Sequence, residues 1–188
     1  MVPKDFINML WAEYPIPSNF SIFGGDGLTS FPVSDLDALV GSCVLELRSD
    51  VYVTDYCVLS GYATRLPDTA FAVVGAKLAF GFQGARSVKV TFDASTKMAY
   101  CRYYPANLTY RRLLEVDDLP KLQGDLLIYA KQYILWKMAD KELTVLKSVT
   151  LDADNGQVNL DSLQAFRDAT RQRYLDLKEG IFIYTVGN

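Results

Sequence analysis

The chain has 188 residues, 50% of them hydrophobic and 22% charged, with a net charge of −3 and no histidine. That apolar content excludes a disordered chain, and the mild acidity excludes a nucleic-acid binder that works by broad charge neutralisation. Without histidine, the commonest general base and metal ligand is missing, and Ser-His-Asp and Cys-His arrangements are impossible.

Phe6, Met9 and Leu10 predict a short helix over 3–14, ended by Pro15 and Pro17. Residues 18–33 read as a loop with Gly24-Gly25-Asp26-Gly27 at its tip. Ser34 is placed to cap a helix reaching Arg48, because Leu36, Leu39, Val40, Cys43, Val44 and Leu47 recur at helical spacing. Residues 51–82 fit strand or helix. Ser87 to Phe92 and Met98 to Tyr104 alternate on either side of a polar Asp93 to Lys97, which predicts a hairpin, and Leu108 to Val116 adds an extended segment.

All seven prolines lie in the first 120 residues, so nothing in 121–188 interrupts long helices. Asp117, Asp118 and Pro120 mark a helix start, with the helix running to about Leu146. Between Leu126 and Ala139 it is apolar around most of its circumference, so it is either central in the fold or shared with a neighbouring subunit. A turn at Asp152 to Gly156 leads to a second helix near Leu160 to Glu179, with Gly180 at the C′ position, and Ile181 to Val186 reads as a strand. The fold class is α+β: a β-hairpin and a small mixed or antiparallel sheet, with a C-terminal helical hairpin closed by a final strand. One domain spans 1–188, with a helix and extended arm in 1–33, a helix plus strands in 34–116, and the helical hairpin and terminal strand in 117–188.

The candidate chemical sites each have a plainer explanation. Cys43, Cys57 and Cys101 are an odd, widely spaced set that suits free structural thiols. Asp152 to Gly156 puts glycine at the fifth position of a would-be calcium loop, where an EF-hand needs it at the sixth. Gly24 to Gly27 and Gly81-Phe82-Gln83-Gly84 lack the Lys-Ser/Thr of a phosphate loop. Glu115, Asp117 and Asp118 suit a helix start, and Arg111-Arg112 and the arginines of the last helix suit solvated faces, the latter paired by Asp168 and Asp176. The expectation is therefore no catalytic residue, no metal, no cofactor and no enzymatic activity. Met1 to Tyr14 carries Lys4, Asp5 and Glu13 and does not read as a signal peptide, and no apolar run is long enough to span a bilayer, so the chain reads as soluble and made in a cytoplasm.

Twelve tyrosines remain, eight of them from Tyr100 onward. Tyr and Trp combine large contact area with a polar tip, so the set predicts an assembly surface: Tyr103, Tyr104 and Tyr110 around the hairpin, Tyr129, Tyr133 and Trp136 along the long helix, and Phe182 and Tyr184 in the terminal strand. For each residue singly, a place in an aromatic core is an equal alternative.

The stretch Tyr103-Tyr104-Pro105-Ala106-Asn107-Leu108-Thr109-Tyr110, then Asp117-Asp118-Leu119, Ile128-Tyr129-Ala130-Lys131-Gln132-Tyr133 and Ile181-Phe182-Ile183-Tyr184, resembles in layout the head–tail connector and neck proteins of tailed-bacteriophage virions. The resemblance covers about the last 85 residues. It implies a structural ring subunit located in the virion, a homo-oligomer in contact with portal, neck or tail proteins, with DNA passing through the lumen without sequence-specific binding and no membrane contact. A baseplate or tail-terminator subunit, a small carboxylate- or metal-dependent enzyme, and a cytoplasmic protein-binding module are the competing expectations.

Overall fold

A computed structural model describes residues 2–13, 33–78, 86–148, 153–180 and 184–187. It has the α+β composition expected, with four α-helices, a 3-10 helix and eight strands among those residues. The chain groups into two compact units, one of Met1–Glu46 with Glu115–Phe182, the other of Leu47–Leu114 with Ile183–Asn188.

The first unit is helical: α1 (Lys4–Glu13), α2 (Val33–Leu47), the 3-10 helix (Val116–Lys121), α3 (Gly124–Ser148) and α4 (Ala153–Gly180). Phe6 and Leu10 of α1 are fully buried, each contributing about 2 kcal/mol of apolar burial. The periodicity of α2 holds, with Leu36, Val40, Cys43, Val44 and Leu47 buried, but the helix includes Val33, so Ser34 lies inside it and is not its cap. Asp37 ties the chain start to α2, accepting from the Val2 backbone amide at 2.8 Å. The all-round apolar helix is central: Leu126, Tyr129, Ala130, Gln132 to Leu135, Met138, Ala139, Glu142 and Leu143 are buried. It touches α2 through the Cys43 thiol, 3.9 Å from the Ala130 carbonyl, α1 through Lys131 and Glu13, and α4 along its length.

Three expectations for this unit need correction. The helix expected from Asp117 to Leu146 is two elements, because Gly124 takes φ +56 and turns the chain between the 3-10 segment and α3. The turn expected at Asp152 to Gly156 is largely the first turns of α4, which begins at Ala153. Gly180 is the last residue of α4, without the positive φ expected of a C′ glycine. The loop expected at 18–33 lies outside the described residues up to its last residue, and so does Gly81 to Gly84.

The second unit holds two sheets. β1 (Val51–Leu59), β3 (Ala70–Leu78), β4 (Ser87–Val88), β7 (Ala106–Leu113) and β8 (Tyr184–Gly187) form one in the order β4-β3-β7-β1-β8, antiparallel except where β8 runs parallel to β1. β2 (Ala63–Arg65), β5 (Val90–Asp93) and β6 (Met98–Cys101) form the other, in the order β2-β6-β5. Of the undecided stretch 51–82, the described part, which ends at Leu78, is strand wherever it is regular. The hairpin is β5 to β6, while Ser87 and Val88 pair with β3 instead. Its loop is set by Asp93, which accepts from the Ser95 amide at 2.9 Å, the Ser95 hydroxyl at 2.6 Å and the Thr96 hydroxyl at 2.8 Å. These bonds hold the Asp93 carboxyl down to about 2.

The sheets share a core of Leu59, Leu66, Ala70, Ala76, Ala99, Cys101, Ala106, Leu108 and Tyr110, with Phe92 and Val90 against it. In β7 every second residue from Ala106 to Arg112 is buried, the alternation of a strand covered on one face. No helix among the described residues is long and apolar enough to cross a membrane.

Nothing approaches a Cβ built at Gly124, so substitution there costs only backbone strain. Gly124→Ala should lower unfolding free energy by about 1–2 kcal/mol in urea titration with an unchanged m-value; an unchanged midpoint would contradict the positive φ.

Candidate functional site

The register of β1 on β7 pairs Tyr56 with Thr109, Thr54 with Arg111 and Tyr52 with Leu113. These side chains stand on the face opposite the shared core, because β1 and β7 bury the other parity. β3 adds to the same face. Its register shifts between Ala70 and Ala72 and again between Val73 and Gly75 are bulges, and they turn Phe71 and Val74 outward. Tyr56 is 57% exposed, Val58 59%, Val74 56% and Phe71 42%. Four large apolar side chains on β1 and β3, flanking β7, are thus exposed on one face among the described residues. Scattered single apolar residues are ordinary on a protein surface, whereas a contiguous set marks a contact surface.

The aromatic end of the face is organised. Phe71 meets Tyr52 edge-on at 6.2 Å between centroids, and the Arg111 guanidinium lies over the Tyr52 ring at 4.6 Å. The other end is an open depression of about 730 Å³ lined by Tyr56, Val74, Gly75, Lys77, Ser87, Asn107 and Thr109 among others. Gly75 and the neighbouring bulge make room for it.

The solvated reading of Arg111-Arg112 is corrected by strand parity. Arg112 is buried and paired with Asp55 at 3.0 Å, while Arg111 lies on the opposite face over Tyr52. The pairs expected along the last helix are also rearranged: Asp168 meets Arg167 at 2.8 Å, and Asp176 accepts from Gln172 at 2.8 Å.

The residues singled out for an assembly surface divide. Tyr103 and Tyr104 are exposed on the connection between β6 and β7. Tyr110 belongs to the core of the strand unit. Tyr129 is 3% and Tyr133 8% exposed, so both offer almost nothing to a neighbour, and Trp136 is half-buried beside them. Phe182 lies outside the described residues, and Tyr184 opens β8, with only its backbone described. The stripe on α3 is therefore corrected from a surface to an internal cluster. Tyr174 of α4 stacks on Trp136 at 5.3 Å between centroids and meets Tyr129 and Tyr133 at 5.0 and 5.4 Å.

Glu46, in the last turn of α2, holds this cluster together. Its Oε1 accepts from the Tyr129 hydroxyl at 3.2 Å, from Lys178 Nζ at 2.7 Å and from the Tyr174 hydroxyl. Burial pushes the Glu46 carboxyl up, but the hydrogen bonds from Lys178, Tyr174 and Tyr129 and the Lys178 charge outweigh it and leave the group below its ordinary value. Burial and Tyr174 push Tyr129 up, while the Glu46 carboxylate raises Lys178. Lys137 sits 3.9 Å from the Trp136 ring centroid. This is a structural clamp of α2 on α3 and α4.

The acidic cluster is a cap. Glu115 is the N-cap of the 3-10 helix in a reciprocal capping box, and buried Asp118 accepts from the Glu115 amide at 2.9 Å and faces Lys121 at 3.4 Å. No group of three or more metal-ligating side chains occurs among the described residues. Burial pushes the Cys43 and Cys57 thiols up, away from the reactive thiolate.

Tyr56, Val58, Phe71 and Val74 are absent from the sequence expectations. Their signal was that both parities of Val51 to Leu59 are apolar, with Val51, Val53, Cys57 and Leu59 on one side and Tyr52, Tyr56 and Val58 on the other. A half-buried strand needs only one.

The clamp has a pH signature. Because the folded Glu46 lies below its ordinary value of 4.5, its contribution is complete above that pH and is lost as pH falls beneath it. Glu46→Gln should cost about 1–3 kcal/mol at neutral pH and flatten the fall in stability below the ordinary carboxylate range, read from denaturation at several pH values. Equal acid sensitivity in both proteins would contradict the clamp. In comparisons with known proteins, no family model matches the chain and no curated protein matches its sequence.

Proposed function

We propose that the chain is a structural subunit of a tailed-bacteriophage virion, forming a ring in the head–tail neck and contacting neighbouring copies and portal or tail proteins. The observation that carries the reading is the open sheet face, where Tyr56, Val58, Phe71 and Val74 are exposed together. A surface of this kind contributes its apolar area only when another protein covers it. Tyr103 and Tyr104, on the connection between β6 and β7, are exposed as well. The small acidic excess suits a lumen through which DNA passes without being held. The layout of the last 85 or so residues supplies the resemblance to neck proteins, and the open face supplies a physical reason for assembly.

In this reading the helical unit is rigid, clamped by Glu46, and the strand unit presents the contact face. The tyrosine stripe of α3 keeps the fold instead of joining subunits. Tyr129→Ala should therefore lower the melting temperature, while Tyr56→Ser should leave it nearly unchanged and reduce assembly. Negative-stain electron microscopy and sedimentation velocity of the purified full chain should show closed rings. A sharp monomer over the whole concentration range, with and without purified portal protein, would overturn the reading.

A further inference from the structure

The open face is unusual in its charge as well as its apolar content. The strands β1, β3, β4 and β7 place Lys77 and Arg111 on it and no carboxylate among the described residues; Asp55 stands on the opposite face, paired with Arg112. Lys77 is exposed, across the pair from Asn107. Arg111 is fixed over Tyr52, and its Nε has no hydrogen-bond partner among the described residues. With those two cations set aside, the chain carries seventeen basic against twenty-two acidic side chains.

This charge distribution decides the symmetry of any contact the face makes with a second copy. In an isologous dimer the same patch appears on both sides, so the face would meet itself. Two faces bearing only cations would bring like charges together in a desolvated contact, with nothing to compensate them. A different surface of the second copy, acidic where this one is basic, satisfies both the apolar area and the charge. Such a surface lies at the 3-10 helix and the start of α3, where Glu115, Asp117 and Asp125 are exposed and the nearby Lys121 amine is drawn to buried Asp118.

We propose that copies of the chain associate head to tail, the open sheet face of one receiving the Glu115, Asp117 and Asp125 surface of the next. This rests on the ring reading and specifies its contact. A heterologous contact leaves each copy with one unused face of each kind, so it propagates to a closed ring or a filament and does not stop at a dimer. The aromatic and aliphatic side chains supply the area. Lys77 and Arg111 supply the register and the rejection of self-facing pairs.

The test uses the full chain and sedimentation velocity at low and high salt. Wild type should assemble beyond a dimer, and more weakly as salt rises. Lys77→Glu should weaken association about tenfold or more, with an unchanged melting temperature. The double variant Asp117→Lys, Asp125→Lys should do the same. A mixture of the two variant proteins should assemble beyond a dimer again, because the reversed sheet face of one meets the reversed partner surface of the other, and their two unaltered surfaces also match. Recovery in the mixture supports the head-to-tail contact. A wild-type assembly that ignores Lys77→Glu and the double variant overturns this contact and leaves the ring reading standing. A wild type that stops at a dimer overturns head-to-tail association and, a dimer being no ring, the ring reading with it, as does a strict monomer that stays one with purified portal protein.

Discussion

The register of β1 against β7 is the constraint on which the functional surface depends. It sets the buried Val51, Val53 and Leu59 on the same side as Ala106, Leu108 and Tyr110, and Leu59 joins the last three in the core of the strand unit. The same register sends Tyr52, Tyr56 and Val58 to the other side with Arg111 and Leu113. A slip of one residue would exchange the two sets, exposing the core parity and burying the surface one. The pairing of Asp55 with Arg112 at 3.0 Å on the covered side opposes such a slip, because a shifted strand would leave a buried guanidinium without its carboxylate. The core and the contact face thus come from one choice of pairing.

The helical unit has a different organising element. α3 is apolar nearly all round because α1, α2 and α4 all meet it. Its tyrosines are polar at one end, and burial requires a partner for each hydroxyl. Glu46 meets that need for Tyr129 and Tyr174 and draws in Lys178 from the exposed end of α4. This explains why tyrosine and not phenylalanine suits positions 129 and 174. The aromatic residues of α3, α4, β1 and β3 named above therefore divide between two tasks. Those on α3 and α4 close a core around a carboxylate, and those on β1 and β3 stay outside.

Much of the fold was legible from local pattern. The buried stripes of α1 and α2, the Val90 to Cys101 hairpin with its Asp93-centred loop, and β7 follow from spacing and turn chemistry alone. Other features depend on contacts distant in sequence. Nothing near Tyr129 indicates that Glu46, 83 residues earlier, awaits its hydroxyl, so a stripe bound for the interior looks the same as one bound for a neighbour. β1 and β3 were ambiguous because both are apolar on both parities, and the bulges that turn Phe71 and Val74 outward are set by pairing with β7. The break before α3 combines an extended Leu122 with the positive φ of Gly124, and only that φ separates Gly124 from a tolerated helical glycine. Arg111 and Arg112 read as one basic pair until strand parity separates them into a ring-stacked cation and a buried ion pair.

The central claim is that the open sheet face is covered by another protein when the chain performs its task. Hydroxyl-radical footprinting of the assembled and the dissociated chain tests this directly, because it reports side-chain access residue by residue. Tyr56, Val58, Phe71 and Val74 should be strongly labelled in the dissociated chain and protected on assembly, with Tyr129 and Tyr133 protected in both states. Equal labelling of the four sheet residues in both states would contradict the claim.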